Sequence, residues 1–230
     1  MALRPIFLPC QDFVGVIEKS VEFRWHAGLA ASQKKKSIAE LHKSAQNLGI
    51  EKVLEISSKS EIELGINLSA FNLVITTKKY GKSFTVETAF QGSKVFERGG
   101  PFKDLLGLDS RAAKKDIRLK ESGNLIAFRF FNKEFPLVPR TYFYDWIYIN
   151  ALVQHEDYLM AVQEYEGFSD IEFNPKKSIN CQAHSVALYR SLKANDKLAV
   201  ALESPEAFLE ICASHYDKQS RNVGVQKSII

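Results

Sequence analysis

In VETAFQGSKVFE (86–97) a glutamate and a lysine stand seven residues apart, with an aromatic ring and an amide between them. At helical pitch Glu87, Phe90, Gln91 and Lys94 fall at i, i+3, i+4 and i+7, on one face. That face pairs a carboxylate at a helix N-terminus with an amine two turns on, beside a ring, and could line a pocket. The same residues also fit a plainer reading, a first-turn glutamate complementing the helix dipole and an exposed lysine.

Two further stretches place polar groups where packing would want apolar ones. DIEFNPKKSINCQA (170–183) gathers Asp170, Glu172, Asn174, Asn180 and Gln182 in a Pro-containing loop ahead of an apolar helix. Carboxylates and amides at such a position suit a ligand site. An N-capping loop explains Asn180 or Ser178, but not all five. EISSKSEIELGINLSAFN (55–72) sets Ser57, Ser58 and Lys59, with the flexible Gly65, between two strand candidates. Turns of this kind offer backbone N–H groups and hydroxyls to an anion; capping serines in an ordinary loop are the plainer account. Cys181 and His184 lie three residues apart on one helix, a spacing that favours a packed cysteine over a nucleophile–base pair.

These groups need a scaffold, and the composition supplies one. The chain has 230 residues, 45% apolar and 25% charged, enough for one large domain with a real core. Sixteen Phe, eight Tyr and two Trp exclude a disordered chain. No apolar run approaches the roughly 20 residues of a membrane span. MALRPIFLPCQDF, broken by Pro5 and Pro9, lacks a signal-peptide core, so a cytoplasmic location is expected. Cys10, Cys181 and Cys212 are far apart and form no CxxC, which points to free thiols. The five histidines are scattered, so neither a metal site nor a cofactor is expected. A net charge of +4 is mild for a DNA-binding domain but favours a phosphate-bearing ligand.

Along the chain, residues 1–30 read as an extended arm with strand-like segments. Ser32 reads as the N-cap of a helix to about Gln46, with Ile38, Leu41, Ala45 and Leu48 as its apolar face, Lys34–Lys36 on a solvated face and Gly49 as its stop. Strands are expected at 52–60, breaking into a Ser-rich turn, and at 68–77, followed by a hairpin turn around Gly81. The spacing predicts helices from Val86 to about Glu97 and from a Ser110 cap to Gly123, then a buried strand at 125–131. FYDWIYINALVQ and EDYLMAVQEY read as two helices or one long one, 168–180 as irregular, CQAHSVALYRSL and PEAFLEICASHY as helices, and the tail beyond Tyr216 as patternless. The expected fold is α+β, a mainly helical single domain with a small antiparallel sheet. The arm and first helix (1–50) would pack on a core domain (51–216), followed by a tail (217–230).

Taken in order, the polar stretches resemble the NADAR (YbiA-like) family. Ser69-Ala70-Phe71 stands for its Ser-Asn-Phe stretch, and Glu87-Thr88-Ala89-Phe90-Gln91-Gly92-Ser93-Lys94-Val95-Phe96 for its Glu-His-x-Phe-Gln-x-x-Lys-Phe motif. Trp146 stands for its helical Trp, SRAAKKDIRL (110–119) for its Ala-Lys helix, and the loop from Asp170 to Asn180 for its acidic loop. The resemblance spans roughly residues 51–193. RPIF, EISSKS, LGINLSAFN, FYDWIYINAL and DIEFNPKKSINCQA look closer still to NADAR antitoxins paired with DarT-type toxins. The sequence departs from the family at Ala70, where the family has Asn, at Thr88, where it has His, and at Phe173, where YbiA-like members have Trp.

The resemblance implies an N-glycosidase that removes ADP-ribose from ADP-ribosylated guanine in single-stranded DNA, countering a DarT-type toxin that is also a possible direct partner. Two alternatives are a non-catalytic module binding ADP-ribose or modified DNA, and an N-glycosidase acting on a phosphorylated riboflavin-pathway intermediate. Such a bond breaks through an oxocarbenium-like state. On this reading Glu87 and Asp170 stabilise charge or act as general base, and Lys94 or Lys59 is the nucleophile, forming a Schiff base, or else a diphosphate ligand. Trp146 and Phe90 would stack on a ring. Ser57, Ser58 and Asn180 would hold phosphate or ribose hydroxyls, with Ser69, Phe71, Glu172 and Asn174 completing the ligand contacts.

Overall fold

Strand pairing starts at the N-terminus, where β1 (Ala2–Pro9) and β2 (Val16–Phe23) align antiparallel along their whole length. The computed structural model describes residues 1–28, 30–77, 81–176 and 178–219. The chain continues through α1 (Ala31–Gln46), β3 (Val53–Glu55), α2 (Glu63–Asn67), β4 (Val74–Thr76) and β5 (Ser83–Thr85). Next come α3 (Val86–Gly92), β6 (Lys94–Phe96), α4 (Ser110–Lys115), α5 (Arg118–Glu121), β7 (Leu125–Phe130) and β8 (Lys133–Phe135). The last part holds α6 (Tyr142–Leu152), α7 (Glu156–Ala161), β9 (Gly167–Ser169), α8 (Gln182–Ala194), α9 (Leu198–Ala201) and α10 (Pro205–Lys218).

The α+β fold is as expected, but its strands divide into three small sheets. The largest runs β2-β1-β9-β3; a two-stranded sheet pairs β4 with β5, and a three-stranded one runs β6-β7-β8. All pairings are antiparallel except β3 with β9, which run parallel. Alternation along β1 and β3 explains how one sheet serves two cores. Ile6 and Val53 face α1 in a small cluster with Val21, Phe23, Leu41 and Ile171, while Phe7 and Leu54 face the main core under α8. In that main core α6 buries residues on every side, from Tyr142 to Leu152. Among the described residues no helix is long and apolar enough to cross a membrane.

Several local expectations are corrected. Helix α1 opens one residue before Ser32, its N-cap is Ala30 with no side-chain cap, and Leu48 lies beyond it, exposed. Lys34 is not merely solvated: its Nζ pairs with Glu172 at 3.2 Å and lies over the Trp25 ring. Only Val74–Thr76 of the 68–77 segment is strand, because α2 and the turns after it claim Leu68 to Leu73 through bonds such as Leu73 N–H to Ser69 C=O, 2.8 Å. In the hairpin turn residues 78–80 lie outside the described residues, and Gly81 takes a positive φ of 60°. Helix α3 stops at Gly92, where Ser93 Oγ donates back to Ala89 C=O (2.7 Å), and Lys94 begins a strand. Asp109, not Ser110, caps α4. Strand β7 is half-buried, with Phe128 and Phe130 inward and Ile126 exposed. The stretch read as irregular contains β9, an interior strand of its sheet. Helix α10 extends to Lys218, and residues 220–230 lie outside the described residues.

Helices α6, α8 and α10 are locked by a buried carboxylate. Asp145 accepts from Ser185 Oγ (2.7 Å) and Tyr216 OH (3.3 Å), and pairs with His184 Nδ1 at 3.2 Å. Burial pushes its carboxyl up, but His184 and these hydrogen bonds outweigh that and hold it below its usual range. His184 is therefore committed to Asp145 and His215. All three cysteines are buried, and none is in a disulfide.

Gly65 marks a close approach. A Cβ there would lie 2.0 Å from the Glu55 carbonyl oxygen and 2.5 Å from Ser60 Oγ, backbone and side chain of the preceding turn. Gly65→Ala is expected to displace that turn and destabilise the protein by about 1–3 kcal/mol. Urea unfolding checks this; an unchanged midpoint would show that the turn can yield without cost.

Candidate functional site

A cleft of about 1060 Å³ opens between the short elements, its wall assembled from segments far apart in sequence. Ser57–Lys59 enter from the turn after β3, Ser69–Asn72 from the loop after α2, and Glu87, Phe90 and Gln91 from α3. Arg111, Lys114 and Lys115 enter from α4, Tyr144 from α6, and Asp170, Glu172, Phe173, Asn180 and Gln182 from the loop between β9 and α8.

The loops hold their shape through specific bonds. Gln182 accepts from Ala70 N–H (2.8 Å) and donates to Ile56 C=O (2.5 Å), so one amide ties two walls of the cleft. Glu87 N–H donates to Ala70 C=O (2.8 Å), and Ser110 Oγ donates to Phe71 C=O (2.9 Å). Among the described residues Asn180 Oδ1 is buried without a hydrogen-bond partner, an acceptor open to a ligand donor.

Glu87 is 5% exposed and faces the cleft from the first turn of α3. Its Oε1 accepts from Gln91 Nε2 (2.8 Å) and lies 3.7 Å from Lys114 Nζ. Gln91 Oε1 in turn accepts from Lys94 Nζ at 2.7 Å, and that amine lies over the Phe90 ring. The three side chains form a row, amine to amide to carboxylate. Burial pulls Lys94 down to about 8, the Glu87 charge opposing and Lys114 assisting, so a neutral fraction exists at physiological pH.

Asp170 lines the same cleft at 8% exposure. Its Oδ1 accepts from Glu172 N–H (3.0 Å) and Phe173 N–H (3.2 Å), and Cys181 Sγ lies 3.9 Å from Oδ2. Burial, then the Glu55 charge, push its carboxyl up to about 8 despite those backbone bonds. That direction favours the protonated carboxyl. Tyr144 is also pushed up, by burial and the Glu87 charge, and remains a phenol.

The cleft thus brings together Ser57, Ser58, Lys59, Ser69, Phe71, Glu87, Phe90, Asp170, Glu172 and Asn180. Lys94 stands behind its wall, linked through Gln91. Trp146 is not brought in: it packs on Phe135 and Phe130, with ring centroids 5.1 and 6.4 Å away. Asn174 also lies off the lining, its Oδ1 accepting from Lys176 N–H (3.0 Å) within the turn. Sequence reasoning missed Tyr144, hidden in a helix apolar on every side, and the Arg111, Lys114 and Lys115 edge of α4. Gln91 and Gln182 were visible as polar residues but not as the groups that join others together. Among the described residues no group of three or more His, Cys, Asp or Glu side chains is placed to hold a metal ion.

Arg111, Lys114, Lys115 and Lys59 ring a cleft with aromatic and carboxylate walls, an arrangement suited to an anionic ligand with a planar ring. No curated protein matches the chain. A family model described as DarT1-associated NADAR antitoxin matches residues 2–222, from the first strand through the last helix. The chain belongs to that family, the NADAR-DarT1 antitoxins.

Proposed function

We propose that the chain hydrolyses the N-glycosidic bond between ADP-ribose and guanine in DNA, and that this removal is how it counters the toxin. The observation that carries the reading is the row Lys94–Gln91–Glu87, which ends in a cleft that also holds Asp170, its carboxyl pushed up by burial. The neutral Lys94 amine attacks C1 of the ribose once Gln91 yields its hydrogen bond. The bond from C1 to the base nitrogen breaks, and Asp170 gives its proton to the departing base. Glu87 offsets the positive charge at C1 and takes the proton that the amine loses. The resulting glycosylamine opens to a Schiff base, which water hydrolyses to free ADP-ribose and free lysine. Lys59, Arg111, Lys114 and Lys115 face the diphosphate, and Phe71 and Phe90 offer ring faces.

The test is incubation with single-stranded DNA carrying ADP-ribosylated guanine, with EDTA present, followed by detection of free ADP-ribose. Release supports the glycohydrolase; a stable complex without release makes the chain a binding module. Two further results are expected. Borohydride added during turnover traps a covalent adduct on Lys94, and Lys94→Met gives none. An unreduced enzyme with full trapping efficiency elsewhere would remove Lys94 from the nucleophile's role. The rate also rises with pH as Lys94 loses its proton, then falls as Asp170 loses its own, giving a narrow bell centred near pH 8. A flat profile between pH 6 and 9, from about 6 to about 9 in half-unit steps, would contradict both assignments.

A further inference from the structure

Glu55 lies outside the cleft lining, yet it holds the chain on both sides of Asp170. Parallel pairing of β3 with β9 sets Glu55 beside Ser169 in register. Glu55 Oε2 accepts from Ser169 Oγ (2.5 Å), and Glu55 Oε1 accepts from Ile171 N–H (2.8 Å). Ser169 has one hydroxyl proton and gives it to Glu55, so its oxygen accepts from His42 Nε2 at 2.9 Å. The two residues flanking Asp170 are therefore clamped by one carboxylate, with a histidine from α1 completing the row. Glu55 is 2% exposed and His42 is mostly buried.

We infer that Glu55 is a positioning residue for Asp170, a second buried carboxylate that fixes the turn carrying Asp170 and sets the charge state of the pair. The inference rests on the reading that Asp170 is the proton donor of the proposed reaction. Two interacting carboxyls in a dry interior do not readily both ionise at neutral pH. Burial pushes Glu55 upward too, against the bonds from Ile171, Ser169 and Ser57. The other charged and titratable groups facing the pair are Glu172, Arg4, Cys181, Tyr144 and Tyr148. His42 is pulled down to about 4 by burial and stays neutral, so it supplies no countercharge. Glu172 is the other anion, and Lys34 neutralises it at 3.2 Å. Of the two carboxylates that push Asp170 upward, Glu55 acts more strongly than Glu172.

Glu55→Gln keeps an acceptor for Ile171 N–H and removes the charge. It is expected to move the alkaline limb of the pH–rate profile down by about one unit or more, cutting the rate at pH 8 about tenfold and leaving it within about twofold near pH 5.5. A uniform loss across the range with the limb unmoved, or no change at all, overturns the inference. NMR titration of carbon-13-labelled carboxyls supplies an arm that needs neither activity nor a folded variant. In the wild type the Asp170 and Glu55 signals are expected to titrate together; independent titration overturns the inference. If the wild type releases no ADP-ribose but the two carboxyls titrate as a pair, the proposed reaction fails and the role of Glu55 in setting Asp170's charge stands.

Discussion

Glu87→Gln is expected to lower the release of ADP-ribose by about 10²–10⁴-fold, the range typical of a lost general base or charge-stabilising carboxylate. The substitution is conservative in every other respect. A glutamine oxygen can still accept from Gln91 Nε2, so the row from Lys94 into the cleft survives, and only the weak 3.7 Å ion pair with exposed Lys114 is lost. In the proposed reaction, what disappears is the negative charge facing the ribose and the acceptor for the lysine proton. Single-turnover assays should therefore find slow chemistry with affinity for the modified DNA changed less than about tenfold. Comparable losses in rate and affinity would mean that Glu87 binds substrate rather than acting on it. A rate within about tenfold of wild type would transfer the role to another carboxylate of the cleft.

Asp170→Asn is expected to move activity and stability in opposite directions. The amide cannot donate the proton, so turnover should fall about 10²–10⁴-fold. Asparagine Oδ1 still accepts from the Glu172 and Phe173 N–H groups, so the turn keeps its shape. The wild-type carboxyl binds its proton more tightly when folded, with its value raised from 3.8 to about 8. A raised folded value contributes stability that is complete below about pH 4 and is lost as pH climbs through 8. The variant has no such loss. Melting scans should show it more stable than wild type at pH 8, by an amount on the order of a few kcal/mol. The gap should close toward pH 4. A gap that is constant with pH would mean that Asp170 does not carry its proton into the folded state.

How legible this was in the sequence depended on the range of the interaction that decides each feature. Local periodicity placed α1, α6, α8 and α10, though not every end or cap, because an apolar face or a fully apolar segment spans each helix. The β3–β9 pairing left no trace: each strand is three residues long, and its partner is more than a hundred positions away. Helix α3 was read too long because VETAFQGSKVFE keeps helical spacing past Gly92, where Ser93 and the pairing with β7 take over. At the cleft, the polar stretches around Ser57, Glu87 and Asp170 stood out because their residues suit packing badly. Trp146 was singled out as the counterpart of the family's helical Trp, and the ring fits the aromatic core beside Phe135 instead. Glu55 went unnoticed inside a short strand, where a lone carboxylate reads as an outward-facing residue.

The parallel joint between β3 and β9 also sets a timetable. Glu55 must wait for Ser169, and the cleft must wait for Gln182, which ties Ala70 to Ile56. At ordinary synthesis rates Glu87 and Gln182 leave the ribosome about 5–20 s apart. Closing so long a loop is slow as well, since its entropy must be met before any contact forms. A nascent fragment that stops short of α8 lacks the Gln182 bridge between Ala70 and Ile56, so these two walls of the cleft are joined only after α8 has begun to emerge.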